Sequence, residues 1–284
     1  MNSNSEKFKS ILAELHKSEE REYNYFHSAQ KLIPSRNAVI SIIKNMQALM
    51  FPDYFPIDEN NGKTSMQLIE ELFNLLRQQI EASFHFCSEC SEKPCAEKLA
   101  NEIISLLPAI KEALIKDVQA IYEGDPAARS PEEVILSYPG FYAISIYRIA
   151  HEFYVRKIPY IARIMTEFAH QKTGVDIHAG ATIGEYFFID HGTGIVIGET
   201  TTIGNHVRIY QGVTLGAKSF ELDENGNPVK GIKRHPDIGN NCIIYANATI
   251  LGGNTKIGDG VVVGGNVWLT HSVEAGKVVY YNEK

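Results

Sequence analysis

From Ile177 onward the chain places an aliphatic residue at a step of six: Ile177, Ile183, Ile189, Ile197, Ile203, Ile209, Leu215, Ile238, Ile244, Ile250, Ile257, Val263 and Leu269. Nine of the twelve intervals between them are exactly six, too regular for chance. An α-helix repeats at 3.6 residues and a free strand at two, so neither explains this period. A triangular solenoid does: each hexad supplies one short strand and one corner, and three hexads close a coil. The aliphatic side chains point inward and stack on the coil below. Each contributes roughly 1.5–3 kcal/mol of transfer free energy, so a dozen make a sufficient core.

The departures from six are where function is expected, because loops ejected from a rigid scaffold usually carry it. Ile189 to Ile197 spans eight residues and includes Asp190-His191-Gly192-Thr193-Gly194. Leu215 to Ile238 spans 23, so a loop over 217–233 is extruded, and the chain returns through Lys233-Arg234-His235-Pro236. Ile250 to Ile257 spans seven, a small bulge at Gly252-Gly253. Acid–base residue types thus sit at both large irregularities. Either pair taken singly also fits a corner turn; two together favour a site.

Before Gly174 the period is helical. Leu68, Leu72, Phe73, Leu75, Leu76 and Ile80 recur at three- and four-residue steps, and Thr64 with Gln67 fits a capping box. A long helix is predicted from Ala96 towards Glu123, kinked at Pro108, and Ser130-Pro131-Glu132-Glu133 starts another. The fold class is therefore α+β: an N-terminal all-α helical domain over 1–173, then a left-handed parallel β-helix of hexapeptide repeats over 174–284. A net charge of −7 disfavours nucleic acid as a partner. Without an apolar leader at Met1–Glu20 or a run of about 20 apolar residues, a cytoplasmic protein with no membrane association is expected.

The run Asp176-Ile177-His178, then Asp190 through Thr200, Val213-Thr214-Leu215-Gly216 and Arg234-His235-Pro236 resembles the serine acetyltransferases. Asp125-Pro126-Ala127 and Gly140 through His151 look like the same family. The resemblance, covering about 115–275, implies acetyl transfer from acetyl-CoA to the hydroxyl of L-serine, with no metal required. It implies His191 as general base, a role an imidazole titrating near neutral pH can fill. By the same matching, Asp176 orients that histidine, and Asp125 and Asp190 hold the substrate's amino group. Arg234 and His235 contact its carboxylate and the reacting region. Gly216, Ala217, Ala246 and Gly265 line the coenzyme groove with backbone, and Lys218, Lys230 and Lys233 suggest phosphate contacts. L-Cysteine is implied as a feedback inhibitor, and a homotrimer or a dimer of trimers as the assembly. Family members that bind O-acetylserine sulfhydrylase end in a flexible tail closing on isoleucine; with Val279 to Lys284 here, no stable complex is expected.

Other readings compete. Asp125 before Pro126 also fits a turn. A β-helix acyltransferase for another hydroxyl or amine acceptor shares the solenoid but usually lacks both Asp-His and Arg-His pairs. A metal hydratase resembling γ-carbonic anhydrases would need paired ligand histidines that this solenoid lacks, and a bare scaffold would not explain acid–base residues at the corners. His85, Cys87, Cys90 and Cys95 could hold zinc, but reduced thiols are the expectation for a cytosolic chain.

Overall fold

Helix boundaries follow local chemistry. In this computed structural model, which describes residues 3–26, 32–56, 63–91 and 93–281, eight helices come first. They are α1 (Ser3–Phe26), α2 (Arg36–Met50), α3 (Ser65–Phe86), α4 (Ala96–Ser105), α5 (Leu107–Gly124), α6 (Pro131–Ser137), α7 (Pro139–Val155) and α8 (Ile161–Thr173). The Thr64–Gln67 capping box opens α3, and the Ser130 hydroxyl accepts from Glu133 N–H at the start of α6. The single kinked helix expected over Ala96–Glu123 is instead two. Pro108 has no N–H for a helical bond, so the turn tightens at Leu106, whose N–H reaches the Ile103 carbonyl, and Pro108 falls in the first turn of α5. The tail residues Asn282 to Lys284, on which the expectation about the sulfhydrylase partly rests, lie outside the described residues, as do Met1 and Asn2. No described helix is long and apolar enough to cross a membrane.

The expectation of reduced thiols is corrected at the end of α3. Cys87 and Cys90 are joined in a disulfide, their Cα atoms 5.5 Å apart. The chain turns sharply on leaving the helix, which brings the two side chains together. Two of the four candidate zinc ligands are thereby used; Cys95 is free and exposed.

Past Gly174 the chain makes fourteen short strands that stack into three parallel sheets. The first sheet holds β1 (Asp176–Ile177), β4 (Val196–Ile197), β7 (Thr214–Gly216), β10 (Thr249–Leu251) and β13 (Trp268–Leu269). The second holds β2 (Thr182–Ile183), β5 (Thr202–Ile203), β8 (Asp237–Ile238) and β11 (Lys256–Ile257). The third holds β3 (Phe188–Ile189), β6 (Arg208–Ile209), β9 (Ile243–Ile244), β12 (Val262–Val263) and β14 (Val278–Val279). Through β13 consecutive strands visit the three sheets in turn, so every third strand pairs, as Ile177 with Ile197 and Ile197 with Leu215; β14 then pairs with β12, the intervening visit to the second sheet being a single bridge of Val273 to Ile257. All thirteen periodic aliphatics occupy strands and are buried. β14 lies beyond the last of them. The 217–233 segment leaves the solenoid and folds back on itself at a bridge between Leu222 and Pro228, where Asp223 accepts the N–H groups of Asn225 and Asn227.

Helices and solenoid share one continuous apolar core. The polar tie between them is a buried ion pair. Asp117 on α5, fully buried, receives Arg148 of α7 through both carboxylate oxygens, Nε at 2.5 Å and Nη2 at 2.8 Å. Asp117 also accepts Phe187 N–H at 2.9 Å, while Arg148 Nη2 donates to the Gly184 carbonyl at 2.8 Å. Removing one member of such a pair strands the other charge in the interior. Asp117→Ala should therefore lower unfolding stability by about 3–5 kcal/mol in urea titrations.

Candidate active site

The residues following β3 form the corner between the third and first sheets. Asp190 is anchored by its N–H to the Ile209 carbonyl, and the next residue, His191, adopts a left-handed backbone with φ 55°. That conformation turns the ring outward: the side chain is 71% exposed, its Nε2 3.8 Å from Asp190 Oδ1. Asp176 opens β1 at the same corner, its N–H bonded to the Ile195 carbonyl. Its carboxylate has no hydrogen bond or ion pair among the described residues, and none joins it to His191.

Asp125 reaches this corner from the helical side. It follows α5, its Oδ1 accepts Ala127 N–H at 2.8 Å, and its Oδ2 accepts the Tyr138 hydroxyl at 2.6 Å. Burial, then the bond to Asp125, pushes the Tyr138 phenol up to about 12, with Asp190 adding to the field. Tyr210, one residue past β6 and stacked on Tyr245 with centroids 5.1 Å apart, is also raised, by burial first and then by Asp190.

Arg234 and His235 sit at a different corner, between the first and second sheets. Arg234 Nη2 is 2.5 Å from Glu199 Oε2, and Tyr154 of α7 donates to Glu199 Oε1 at 2.8 Å. Burial works to raise the Glu199 carboxyl, but these two donors outweigh it and hold it below the ordinary range. His235 is only 7% exposed, its Nδ1 accepting Thr200 N–H at 3.1 Å and facing the Thr200 hydroxyl at 2.9 Å. That hydroxyl accepts the N–H groups of Arg234 and His235, so its own proton turns to Nδ1. The neutral ring therefore carries its hydrogen on Nε2. It lies flat over Gly198, where a Cβ would come within 2.0 Å of Cδ2, so only glycine fits beneath it.

The topology thus divides the ten residues singled out above. Asp125, Asp176, Asp190, His191, Ala246 and Gly265 belong to one edge of the prism; Gly216, Ala217, Arg234 and His235 belong to another. Ala246 and Gly265 sit on successive coils so closely that a Cβ on Gly265 would lie 3.2 Å from the Ala246 carbonyl. Of the three lysines, Lys233 is already engaged, 2.5 Å from both Asp237 Oδ1 and the Thr200 carbonyl. No cluster among the described residues could hold a metal ion. A cleft of about 730 Å3 between the Cys87–Cys90 turn, the α7–α8 connection and the first coils reaches Glu199, with His178 on its wall. Tyr138, Tyr154, Glu199, Thr200 and Tyr210 are the participants that sequence reasoning left out. Glu199 and Thr200 stood inside the motif itself; the tyrosines carried no local signal.

Comparison with known proteins identifies the family. The family "Serine acetyltransferase, N-terminal" matches residues 68–145. A serine acetyltransferase encoded on a plasmid of Synechococcus elongatus is 45% identical over 260 residues, covering 87% of this chain and 81% of the relative. The crystal structure of serine acetyltransferase isoform 3 from Entamoeba histolytica, in complex with cysteine, superposes with a TM-score of 0.74 at 38% identity, covering 86% of this chain and 81% of that one. A serine acetyltransferase in complex with CoA superposes at 0.54 with 26% identity, covering 84% and 93%.

Burial, and then the neighbouring Arg234 charge, lowers the His235 pKa to about 4. A folded-state value below the ordinary 6.5 means that the unfolded chain binds the proton more readily. Stability from this group is therefore full above about pH 6.5 and is lost as pH falls towards 4. NMR of the His235 ring should show the Nε2–H tautomer unchanged from pH 8 to 5, and His235→Asn should flatten the acid side of the stability profile.

Proposed function

The chain belongs to the serine acetyltransferases and transfers the acetyl group of acetyl-CoA to the hydroxyl of L-serine; we propose that the two corners described above, brought together between copies of the chain, carry out that reaction. The observation that supports this most is the exposed, left-handed His191 beside Asp190.

In this reading His191 is the general base. A serine hydroxyl is a poor nucleophile until its proton is taken, and the imidazole receives that proton as the oxygen attacks the acetyl carbonyl. The proton then passes to the departing CoA sulfur. Asp176 is the orienting carboxylate. With no other partner among the described residues, it can take the ring N–H once the exposed imidazole turns away from Asp190. Asp125 and Asp190 receive the serine ammonium, and Arg234 receives the carboxylate through guanidinium N–H groups not occupied by Glu199. His235, neutral with its hydrogen on Nε2, donates a hydrogen bond to the reacting region but does not abstract a proton. Gly216, Ala217, Ala246 and Gly265 present backbone to the coenzyme.

A division of the chain at 173/174 and left-handed winding of the solenoid follow from the hexad period and the family resemblance. The first sheet, lying between the two corners, exposes Val196 and Trp268 on its outer face. A trimer that buries this face would set one copy's His191 edge against the next copy's Arg234 edge, and a dimer of trimers is compatible with it.

His191→Ala should lower kcat by about 10²–10⁴ while CoA binding measured by calorimetry persists; near-normal turnover would sink the assignment. L-Cysteine presents the same ammonium and carboxylate as serine, so initial-rate kinetics should show it competing with serine. Absence of inhibition at millimolar cysteine would count against the serine site drawn here.

A further inference from the structure

Asp125 sits in a turn that needs only one of its oxygens. Oδ1 closes the turn by accepting Ala127 N–H, and nothing in that turn calls for a partner on Oδ2. Oδ2 nevertheless receives the Tyr138 hydroxyl at 2.6 Å. Tyr138 is the N-cap residue of α7, yet its side chain makes no capping bond to its own helix. Its backbone is held on both sides, N–H to the Val134 carbonyl and carbonyl to Tyr142 N–H. Two residues on, Gly140 presses against the end of β3: a Cβ there would stand 2.6 Å from the Ile189 carbonyl, one residue before Asp190. The backbone that carries the phenol is thus held against the end of the strand that delivers Asp190 and His191, and the hydroxyl spends its only donor on Asp125.

We propose that Tyr138 is a positioning residue for the acceptor's ammonium: its hydroxyl clamps Oδ2 of Asp125 and sets that carboxylate, together with Asp190, at one end of the acceptor site. The proposal rests on the reading of Asp125 and Asp190 as the ammonium's partners. Each Asp125 oxygen has two lone-pair sites and uses one within the protein, so each keeps one for the ligand. A clamped carboxylate meets the ammonium without first losing side-chain freedom, which favours binding and leaves the proton transfer at His191 untouched. The phenol is suited to this task because it remains protonated, and therefore a donor, throughout the working pH range.

The test uses the full-length enzyme with Tyr138→Phe and Asp125→Asn, singly and together. Tyr138→Phe should raise the KM for L-serine by about tenfold, the scale of one charge-assisted hydrogen bond, with kcat and the KM for acetyl-CoA within about twofold of the parent. 3-Hydroxypropanoic acid, which lacks the amino group, should compete with serine with the same inhibition constant in both proteins. Because inhibition and Michaelis constants do not depend on the amount of active enzyme, partial misfolding cannot imitate this split. On an Asp125→Asn background the Tyr138 change should add less than about twofold. A raised serine KM in Asp125→Asn with none in Tyr138→Phe would overturn the role of Tyr138 alone. So would equal weakening of serine and 3-hydroxypropanoic acid. An unchanged serine KM in Asp125→Asn would overturn the Asp125 reading itself, and the clamp with it.

Discussion

The buried pair of Asp117 and Arg148 is the contact on which the relation between the two halves of this protein depends. Apolar packing between helices and solenoid is extensive but tolerant, since aliphatic surfaces can slide at little cost. A bidentate carboxylate–guanidinium pair is directional, and here both partners also bond to the first coil, Asp117 to Phe187 N–H and Arg148 to the Gly184 carbonyl. Phe187 directly precedes β3. The same pair that locks α5 to α7 therefore fixes the strand that leads into Asp190 and His191.

From that lock the Asp125 side of the candidate site follows. α5 ends at Gly124 and delivers Asp125; α7 begins at Pro139 with Tyr138 just before it. Both ends converge on β3, and the absence of a side chain at Gly140 lets the α7 backbone come close enough. The opposite half has its own rigid basis. Thr200, through one hydroxyl and one N–H, organises the backbone of Arg234 and His235 and sets the tautomer of the imidazole. Glu199 aligns the guanidinium. Each half is ordered by contacts within one chain. A solenoid with three faces cannot bend one edge onto another, so the two corners stay apart within one chain.

The solenoid was legible in sequence because its constraint is strictly local and repeated. Every hexad must turn one side chain into a narrow triangular interior, so all thirteen periodic aliphatics could be placed before any coordinate was known. The irregular corners were legible for the converse reason, as interruptions of a period. Helix starts at Thr64 and Ser130 were readable from capping chemistry that involves four consecutive residues. The break at Leu106 was not, because whether Pro108 kinks a helix or begins a new one depends on how the flanking turns pack. Pairing of Cys87 with Cys90 depended likewise on the path of the chain after α3.

The succession of a helical part and a solenoid, the hexad register and the Asp190-His191 and Arg234-His235 pairs at its interruptions were written in the sequence by itself, since each belongs to a continuous local pattern. Tertiary structure alone decided which of those motifs share an edge, since the modulo-three visiting of sheets separates Asp190-His191 from Arg234-His235. It also decided which side chains stand behind them. Tyr138 and Tyr154 have nothing in their neighbouring residues to distinguish them from core aromatics. Their partners, Asp125 and Glu199, lie 13 and 45 positions away along the chain. Only the packing of α7 against α5 and across the first coils brings each phenol within hydrogen-bonding distance of a carboxylate.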